Sequence, residues 1–530
     1  MVNVIFFAVL ALYVVVGIVV ARKVKDSEDF LVMGERGSTL MIVGTLAATY
    51  LSAVTLLGIS GISYAEGPLV IATTGSFGAW IGTLLAVLYV GRKLKALGCR
   101  TLPDFFRSRF DNRIVTTLAT VIMIVGLLGY GVIQLIGAGL VLGEITGMPF
   151  PVIIMVFVLV LLVFSALGGM YGVVVTDTLM FFTMLAVAAV VSPWIISQAG
   201  FSDMKALSDS LPGYWTVAGA QGRPLSFTVS QFLVWIIFFT CTPALVSRVF
   251  PAKNDFVLLK AAGIGVFLAA FMQIPVFLAA SAMQVLQPAI EPTDRVMVVA
   301  FLEHVPALLG GVGLAALMAA IMSTASTLFV LAGFGLSRDL YENLKRGEIS
   351  EKHRMIASRL AQVMIGLVVA AIAIARPAAI YWIAIYAGAI FGVGWLPTVV
   401  AGLEWRRMNH KAALASMIVG VLSYISVSEI VVRQIISLPS FLDPLMVSLV
   451  LAILALLVVA LLTQPNATET EYFQVIKSTS ASSKTIETIL AQPDGLRELK
   501  REYRNVQIIM ATLVAFSFGI SGYLLVKLAF

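Results

Sequence analysis

The chain has 530 residues, of which 60% are hydrophobic and 12% charged, and its formal net charge is +7. Soluble domains carry about twice this fraction of charged residues, and the mean hydropathy of +1.01 is high, so a soluble globular protein is excluded. The basic runs lack the interleaved aromatic residues that stack on bases, so their charge does not indicate a nucleic-acid partner.

Apolar segments of about 20 residues, the length that crosses a lipid bilayer, recur from one end of the chain to the other. They lie at 3–21, 38–65, 69–91, 114–143, 150–167, 173–197, 228–248, 256–283, 307–337, 355–375, 378–400, 412–432, 441–463 and 507–528. We therefore predict an all-α polytopic membrane protein with about 14 transmembrane helices, surrounded by the lipid bilayer.

Basic residues concentrate in alternate loops, and this alternation sets the predicted orientation. One side of the membrane receives the basic residues of 22–25, 92–113, 345–354, 406–411 and 477–504, together with Arg248 and Lys253. The positive-inside rule makes this side cytoplasmic and places both termini outside. We expect an integral protein of the plasma (cytoplasmic) membrane. Its first segment lacks a basic n-region and a cleavage site, so it is not expected to be a signal peptide.

The whole chain, 1–530, is predicted to form a single transmembrane transporter domain. An extra helix at 3–21 precedes two groups of five spans, and the remaining parts follow in the order 38–197, 228–400, 412–463 (additional helices), 464–506 (a polar cytoplasmic linker) and 507–528 (the last helix). Each group of five opens with an interrupted span, at 47–55 and at 240–243. Pro243 removes a backbone donor in mid-span, which by itself could be a plain kink. Breaks at matching positions of two halves favour an inverted-repeat transporter with its site near the midplane.

One carboxylate and one cluster of hydroxyls lie at membrane depth. Asp177 stands just inside a span, where an ionised side chain is costly and needs a partner. On a helix, one stripe contains Ala316, Ala320, Ser323 and Thr327, with Thr324 and Ser326 beside it. Carboxylate, hydroxyl and carbonyl oxygens suit a small hard cation. The alternatives are ordinary packing of small residues for the cluster and a helix-capping role for Asp177.

Several motifs together resemble the sodium/solute symporter family, which includes sodium/glucose, proline, monocarboxylate and pantothenate carriers. They are Gly168-Gly169 followed by Thr176-Asp177, Thr242-Pro243 followed by Arg248, and the helix end Gly402-Leu403-Glu404-Trp405-Arg406-Arg407. The resemblance covers about residues 1–460. It implies a leucine-transporter-type fold, in which two five-helix repeats are inverted relative to each other.

The resemblance also implies Na+ as the coupling ion and no organic cofactor. A first sodium site would use the backbone oxygens of Ala48, Leu51 and Ala320 with the hydroxyls of Ser323 and Thr324. A second sodium site would use Asp177, Ser323, Ser326 and Thr327. Two sodium ions entering with one monovalent anion would carry one net positive charge inward, so transport would be electrogenic.

The solute is expected between the two interrupted spans. The polar candidates there are Ser52, Thr55, Thr73, Thr74, Gln134 and Thr242. Residues 52–58 resemble the monocarboxylate and vitamin carriers, and 48–53 resemble the pantothenate carriers. Tyr50 stands where the family's proline carriers have a carboxylate. The amide ends of broken helices can hold a carboxylate without a basic side chain, so a monocarboxylate or a pantothenate-like anion is the expected solute.

Other functions remain open. Within symporters, the solute could be a sugar, an amino acid or a nucleobase, or the coupling ion could be a proton bound by Asp177. A transporter-like membrane sensor is the alternative of another class. No nucleotide-binding motif and no catalytic constellation is present, so we expect neither an ATP-driven pump nor an enzyme. The sequence indicates no obligate protein partner.

Overall fold

The computed structural model describes residues 1–24, 27–71, 75–343, 350–375, 380–479 and 489–529. In these residues the structure is helical, and its β pairing is limited to one isolated bridge between Gly37 and Ala252. The first helices are α1 (Val2–Ala21), α2 (Ser27–Val32), α3 (Thr39–Tyr50), α4 (Val54–Glu66), α5 (Pro68–Ile71), α6 (Phe77–Ala96), α7 (Leu102–Phe110) and α8 (Arg113–Thr146).

The run Phe150–Ala186 is broken at Gly169, so we number its two parts separately, as α9 (Phe150–Val163) and α10 (Gly168–Ala199). The next helices are α11 (Phe201–Ser210), α12 (Leu225–Thr240), α13 (Pro243–Val246), α14 (Asp255–Leu286), α15 (Val296–Glu303) and α16 (Ala307–Glu342). The last are α17 (Glu351–Ile374), α18 (Ile380–Glu404), α19 (His410–Val432), α20 (Pro444–Leu462), α21 (Ala467–Ser478) and α22 (Gly495–Ala529).

The predicted polytopic helical architecture is confirmed. Within the described ranges, 10 helices are long and apolar enough to cross a membrane, or up to 11 when the bent pair α3 and α4 counts as one span. Three further predicted segments coincide with the shorter apolar helices α9 and α12 and with α22.

The first predicted break is present between α3 and α4, which meet at an angle of 49°. Leu51 leaves the helical conformation, with φ −89° and ψ 84°. The Ser52 hydroxyl accepts a hydrogen bond from the backbone N–H of Val54 at 3.2 Å. This short side-chain bond gives the backbone an alternative to helical pairing, as serine commonly does near helix ends.

The second predicted break is present between α12 and α13. The helix α12 ends at Thr240, and Pro243 begins the short helix α13. Proline has no N–H to donate to the preceding turn, which is why the chain starts a new helix there. The hydroxyl of Thr242 donates to the carbonyl oxygen of Phe238 at 2.6 Å, so it remains bonded to the helix it follows.

The sequence predicted two separate spans at 150–167 and 173–197, and the structure divides them at Gly169, between the predicted bounds. Gly169 has φ 51° and ψ −153°, a conformation that side chains rarely allow. A Cβ atom at this position would lie 2.5 Å from the ring of Phe30. The bend therefore requires glycine, and it lets α10 approach α3 at a fixed angle.

The helix α16 lies at the centre of the bundle. Every residue from Gly313 to Phe334 is buried. The helix packs against α1, α8, α10 and α17, and it also contacts α3. Its alanines and glycines let the neighbouring backbones approach closely. The hydroxyl run of α16 is therefore fully enclosed by other helices.

The polar stretch near the C-terminus differs from its predicted bounds. The helix α21 lies inside the predicted linker at 464–506 and begins with a capping box formed by Asn466 and Glu469. The final helix begins at Gly495 rather than at 507, so the predicted boundary falls inside α22. The first turns of α22 are rich in charged residues. The prediction was based on apolar composition, so it placed the start of the helix at the first apolar residues, near 507.

Candidate functional site

The break between α3 and α4 frees backbone oxygens inside the protein. Ala48 and Leu51 are fully buried. Among the described residues, no backbone N–H donates to the carbonyl oxygens of Ala48 and Leu51 across the break. Carbonyl groups at the end of a helix lack intrahelical partners, and buried ones need another ligand. These two oxygens are therefore suited to bind a cation.

The predicted first sodium site also includes two hydroxyls of α16, Ser323 and Thr324. The Thr324 hydroxyl donates to the carbonyl oxygen of Ala320 at 3.1 Å and keeps lone pairs for a cation. The Ser323 hydroxyl is fully buried, and the carboxylate of Asp177 is its hydrogen-bonding neighbour. A hydroxyl that donates its proton keeps lone pairs that can bind a cation. The donor set of the first site fits sodium.

Asp177 lies on α10 and is fully buried. Its Oδ2 atom accepts a hydrogen bond from the Thr45 hydroxyl on α3 at 2.6 Å. The Ser323 hydroxyl on α16 is a further hydrogen-bonding neighbour of this carboxylate. The sequence predicted that this carboxylate needs a partner, and the structure places it beside the first broken helix.

The partner of Asp177 is Arg248, which sequence reasoning misplaced. We expected Arg248 among the basic residues of the cytoplasmic side, and the structure shows that its side chain is fully buried inside the protein. Its Nη2 atom lies 2.9 Å from Asp177 Oδ2 in an ion pair. Its position five residues after Pro243, at the end of a predicted span, was the signal that could have placed it inside.

Arg248 joins the elements around the predicted second sodium site. Its Nε atom donates to the Thr49 hydroxyl of α3 at 3.1 Å, and its Nη1 atom contacts the Met170 sulfur at 3.4 Å. Its Nη2 atom also donates to the Thr327 hydroxyl of α16. A single guanidinium therefore connects the first broken helix, α10 and α16.

The four residues predicted for a second sodium already take part in contacts within the protein. Asp177 and Thr327 both contact Arg248. Thr327 and Ser326 donate their hydroxyl protons to the carbonyl oxygen of Ser323, at 2.9 and 3.1 Å. As with Thr324, a hydroxyl that donates its proton keeps lone pairs, so the second sodium site stays a prediction.

Two of the predicted solute-binding residues meet at the first break. The Ser52 hydroxyl lies 3.3 Å from the hydroxyl of Tyr130. The backbone N–H of Ala53 donates to Gln134 Oε1 at 3.3 Å. The Nε2 atom of Gln134 is buried without a hydrogen-bond partner in the described ranges. Gln134 therefore holds the start of α4 and keeps one amide donor available.

Two other predicted solute-binding residues, Thr55 and Thr242, already use their hydroxyl protons in hydrogen bonds within the protein. The Thr55 hydroxyl donates to the carbonyl oxygen of Tyr50 at 2.7 Å. The bond from Thr242 to Phe238 occupies the proton of that hydroxyl in the same way. Thr73 and Thr74 lie outside the described residues.

Aromatic rings surround the two breaks, and the sequence analysis did not identify them. The rings of Tyr50 and Phe239 are stacked with their centroids 6.0 Å apart. Tyr130 lies edge-on to Phe238 at 6.0 Å, and Trp235 lies 6.1 Å from Tyr381. Aromatic residues at i, i+3 and i+4 before the second break, at 235, 238 and 239, were the available signal. The region between the breaks has mostly apolar walls.

One end of the first broken span is closed by the loop that follows α11. Arg223 forms two bonds with the carboxylate of Glu66, at 2.6 and 2.8 Å. The Tyr214 hydroxyl donates to the carbonyl oxygens of Ser63 and Tyr64, at 2.8 and 3.0 Å. This closure covers the C-terminal end of α4.

Comparison with known sequences points to one family of transporters. The model of the sodium:solute symporter family matches residues 30–420. The chain is 27% identical to the sodium/pantothenate symporter of Escherichia coli (strain K12) over 462 residues, which cover 84% of this chain and 94% of the relative. It is 24% identical to the sodium/proline symporter of the same organism over 451 residues, covering 78% and 84% of the two chains.

Two solved structures share the fold. A substrate-bound, outward-open Na+-coupled sialic acid symporter matches with a TM-score of 0.73 and 20% identity, covering 88% of this chain and 98% of that one. Mhp1, a nucleobase-cation-symport-1 family transporter, matches with a TM-score of 0.53 and 14% identity, covering 83% and 97%.

Proposed function

Because this chain belongs to the sodium:solute symporter family, we propose that it imports a small organic anion, a monocarboxylate or a pantothenate-like molecule, together with sodium. The predicted leucine-transporter-type fold is confirmed by its likeness to the two solved transporters. The relatives and structural neighbours are secondary transporters, not enzymes. Import would proceed by alternating access around a site between the broken helices.

The buried carbonyl oxygens at the break after α3, together with the buried hydroxyls of α16, carry the sodium part of the proposal. Sodium would be held by the oxygens of Ala48, Leu51, Ala320, Ser323 and Thr324. The ion would bridge α3 to α16 and hold the first break in the shape that receives the solute. Sodium would therefore raise the affinity for the solute, and the solute would raise the affinity for sodium by the same factor.

The start of α4 supports an anionic solute. The N-terminal end of a helix carries the positive end of its dipole, which favours negative charge nearby. Gln134 adds an amide donor without a partner in the described residues. The aromatic rings around Phe239 would cover an apolar body. A carboxylate on a short organic chain matches both features.

We also propose the plasma membrane as the location, with both termini outside. The basic loops would then face the cytoplasm, as the positive-inside rule requires. The linker before α22 would lie on the same side. Solute and sodium are the partners that the proposal requires.

The proposal is tested by thermal unfolding of purified protein with pyruvate, lactate, acetate or pantothenate, in sodium and in choline at fixed pH. Binding to the native state raises the melting temperature. We expect one carboxylate to raise it only when sodium is present. The Ser323→Ala/Thr324→Ala variant should lose this shift, because two sodium ligands are removed.

A matched control variant removes two buried hydroxyls, the same number as Ser323→Ala/Thr324→Ala, at positions away from the proposed site. Thr398 and Ser416 are buried hydroxyl residues on α18 and α19 without hydrogen-bond partners in the described ranges. The Thr398→Ala/Ser416→Ala variant should retain the sodium-dependent shift. A solute shift that is the same in choline would contradict sodium coupling and favour a proton. A sodium shift with no carboxylate effect would contradict the solute class.

A further inference from the structure

The last helix, α22, holds one of its faces against the rest of the bundle, where it packs on α14. The Tyr503 hydroxyl donates to Asp255 Oδ2 at 2.7 Å, and the Tyr503 ring lies 4.6 Å from the ring of Phe256. Val506, three residues further and on the same side of the helix, is buried. These contacts fix the rotation of α22 about its axis, so its opposite face is turned away from the protein.

The face of α22 that is turned away carries a stripe of basic residues. At the i, i+3, i+4 and i+7 spacing of one helix face, it presents four exposed side chains, which are Arg497, Lys500, Arg501 and Arg504. In the part of the chain that the structure describes, none of the four forms an ion pair. Together with Asp494 and Glu498 they line a hollow of about 790 Å³. Positive side chains outnumber negative ones there, so the hollow attracts anions.

The same face of α22 becomes apolar one turn further along. The spacing continues from Arg504 to Ile508, Ala511 and Ala515, which are also exposed. At the rise of an α-helix, Arg504 and Ala515 are about 16 Å apart along the axis. These apolar positions lie in the predicted span at 507–528, at the depth of the acyl chains, and the basic stripe lies beside it at the depth of the headgroups. A phospholipid has the same order of parts, a charged headgroup followed by an apolar chain.

We propose that the basic stripe and the apolar positions after it bind an anionic phospholipid. The lipid phosphate lies among the four basic side chains, and one acyl chain follows the helix from Ile508 to Ala515. Guanidinium groups donate paired hydrogen bonds to phosphate oxygens. A basic cluster next to a membrane-spanning segment attracts the anionic lipids of the cytoplasmic leaflet. The helix α22 lies beyond residues 30–420, which match the family model, so this site is separate from the proposed transport site.

The test is thermal unfolding of the purified full-length protein in detergent, titrated with phosphatidylglycerol or with phosphatidylcholine. A ligand that binds the native state raises the melting temperature. We expect phosphatidylglycerol to raise it for the wild type, and phosphatidylcholine, whose headgroup has no net charge, to have little effect. In Arg497→Gln/Lys500→Gln/Arg501→Gln/Arg504→Gln, the concentration of phosphatidylglycerol that gives half the effect should rise by about a thousandfold.

Four exposed basic residues elsewhere provide a control with the same loss of charge. Arg22, Lys23, Arg113 and Lys411 lie at or beside the ends of α1, α8 and α19. The control variant changes all four to glutamine, and it should respond to phosphatidylglycerol as the wild type does. Removing four positive charges from +7 leaves +3 in both variants. If the stripe variant does not fold, Arg501→Gln/Arg504→Gln replaces it, with an expected rise of about thirtyfold.

An equal loss of the response in both four-residue variants would overturn the proposal, since overall charge would then explain the binding. An equal response of the wild type to phosphatidylcholine would overturn it as well. Glycerol 3-phosphate should give no shift, and a shift equal to that of the lipid would show a site for free phosphate. A polyglutamate peptide that displaces the lipid would show a site for an acidic protein segment. The transported solute enters none of these measurements, so they are independent of the proposed function.

Discussion

Asp177 and Arg248 meet in a fully buried position between α3, α10 and α16. The cost of an unpaired charge at membrane depth was enough to predict that Asp177 has a partner. The same rule does not say whether the partner of Asp177 is a bound ion or a side chain of the protein. Breaking a buried pair by removing one member costs about 3–5 kcal/mol, so each residue depends on the other for stability.

Gln134 was predicted only as a solute-binding residue, and the structure shows that it also holds the start of α4. Its Oε1 atom accepts the Ala53 N–H, and its Nε2 atom has no partner in the described ranges. In Gln134→Leu the buried Ala53 N–H loses its acceptor, which should reduce the free energy of unfolding by about 1–3 kcal/mol. Solute transport should also show a raised KM. Denaturation and uptake by proteoliposomes measure the two effects.

Gln362 is a matched control for this substitution. It is a fully buried glutamine on α17 whose two amide atoms both lack hydrogen-bond partners in the described residues. Gln362→Leu removes no bond and should leave stability and KM close to those of the wild type. Equal effects of the two substitutions would contradict a special role for Gln134.

At the level of the helices, the two breaks that frame the site follow from residue chemistry. Pro243 cannot donate a backbone hydrogen bond, and Ser52 competes for the N–H of Val54. Both effects are local, so the sequence predicted both positions. The sequence also separated the spans on either side of Gly169, but the close approach of Phe30, which leaves no room for a side chain there, is a distant contact that it did not predict.

The bend supplies an element-level prediction. Gly169→Ala would place a Cβ against Phe30 and force a conformation with positive φ, at a cost of about 1–3 kcal/mol from the backbone alone. We expect a lower melting temperature and reduced sodium-dependent uptake, because α10 carries Asp177 toward α3. Thermal unfolding and uptake assays measure both.

Gly172, in the same helix, provides the comparison. A Cβ at Gly172 would have no atom within 4 Å, and its backbone is helical. Gly172→Ala should therefore be neutral or slightly stabilising, since alanine favours a helix over glycine. A stable and active Gly169→Ala protein would show that the bend does not depend on glycine.

At the level of the whole molecule, orientation is a prediction that labelling can test. Asp203 on α11 and Lys500 on α22 are both exposed and lie at predicted opposite sides of the membrane. A membrane-impermeant maleimide added to intact cells should label Asp203→Cys and not Lys500→Cys. The two native cysteines, Cys99 and Cys241, are buried, so background labelling should be low.

Permeabilised cells supply the control for this measurement. Lys500→Cys should become labelled once the reagent reaches the cytoplasm, which shows that the site itself is reactive. Labelling of Lys500→Cys alone in intact cells would reverse the predicted orientation. The positive-inside assignment, including the external termini, would then be wrong.

The number of sodium ions also matters for the energetics of the whole transport cycle. One net positive charge that crosses the membrane inward contributes about 2.3 kcal/mol per 100 mV of potential. The sequence-based expectation of two sodium ions with one anion would use this energy. One sodium ion with one monovalent anion would move no net charge, and such transport would be driven by the sodium gradient alone.

The sequence by itself determined the membrane class, the positions of both broken spans and the family, because these depend on composition, on local backbone chemistry and on motifs. It also identified Asp177 and the hydroxyls near Ser323 as chemically unusual. The tertiary structure decided which group partners Asp177, that aromatic rings line the breaks, and that Gly169 bends α9 into α10. These features depend on contacts between residues far apart in the chain, such as Arg248 with Asp177, and no local pattern specifies such contacts.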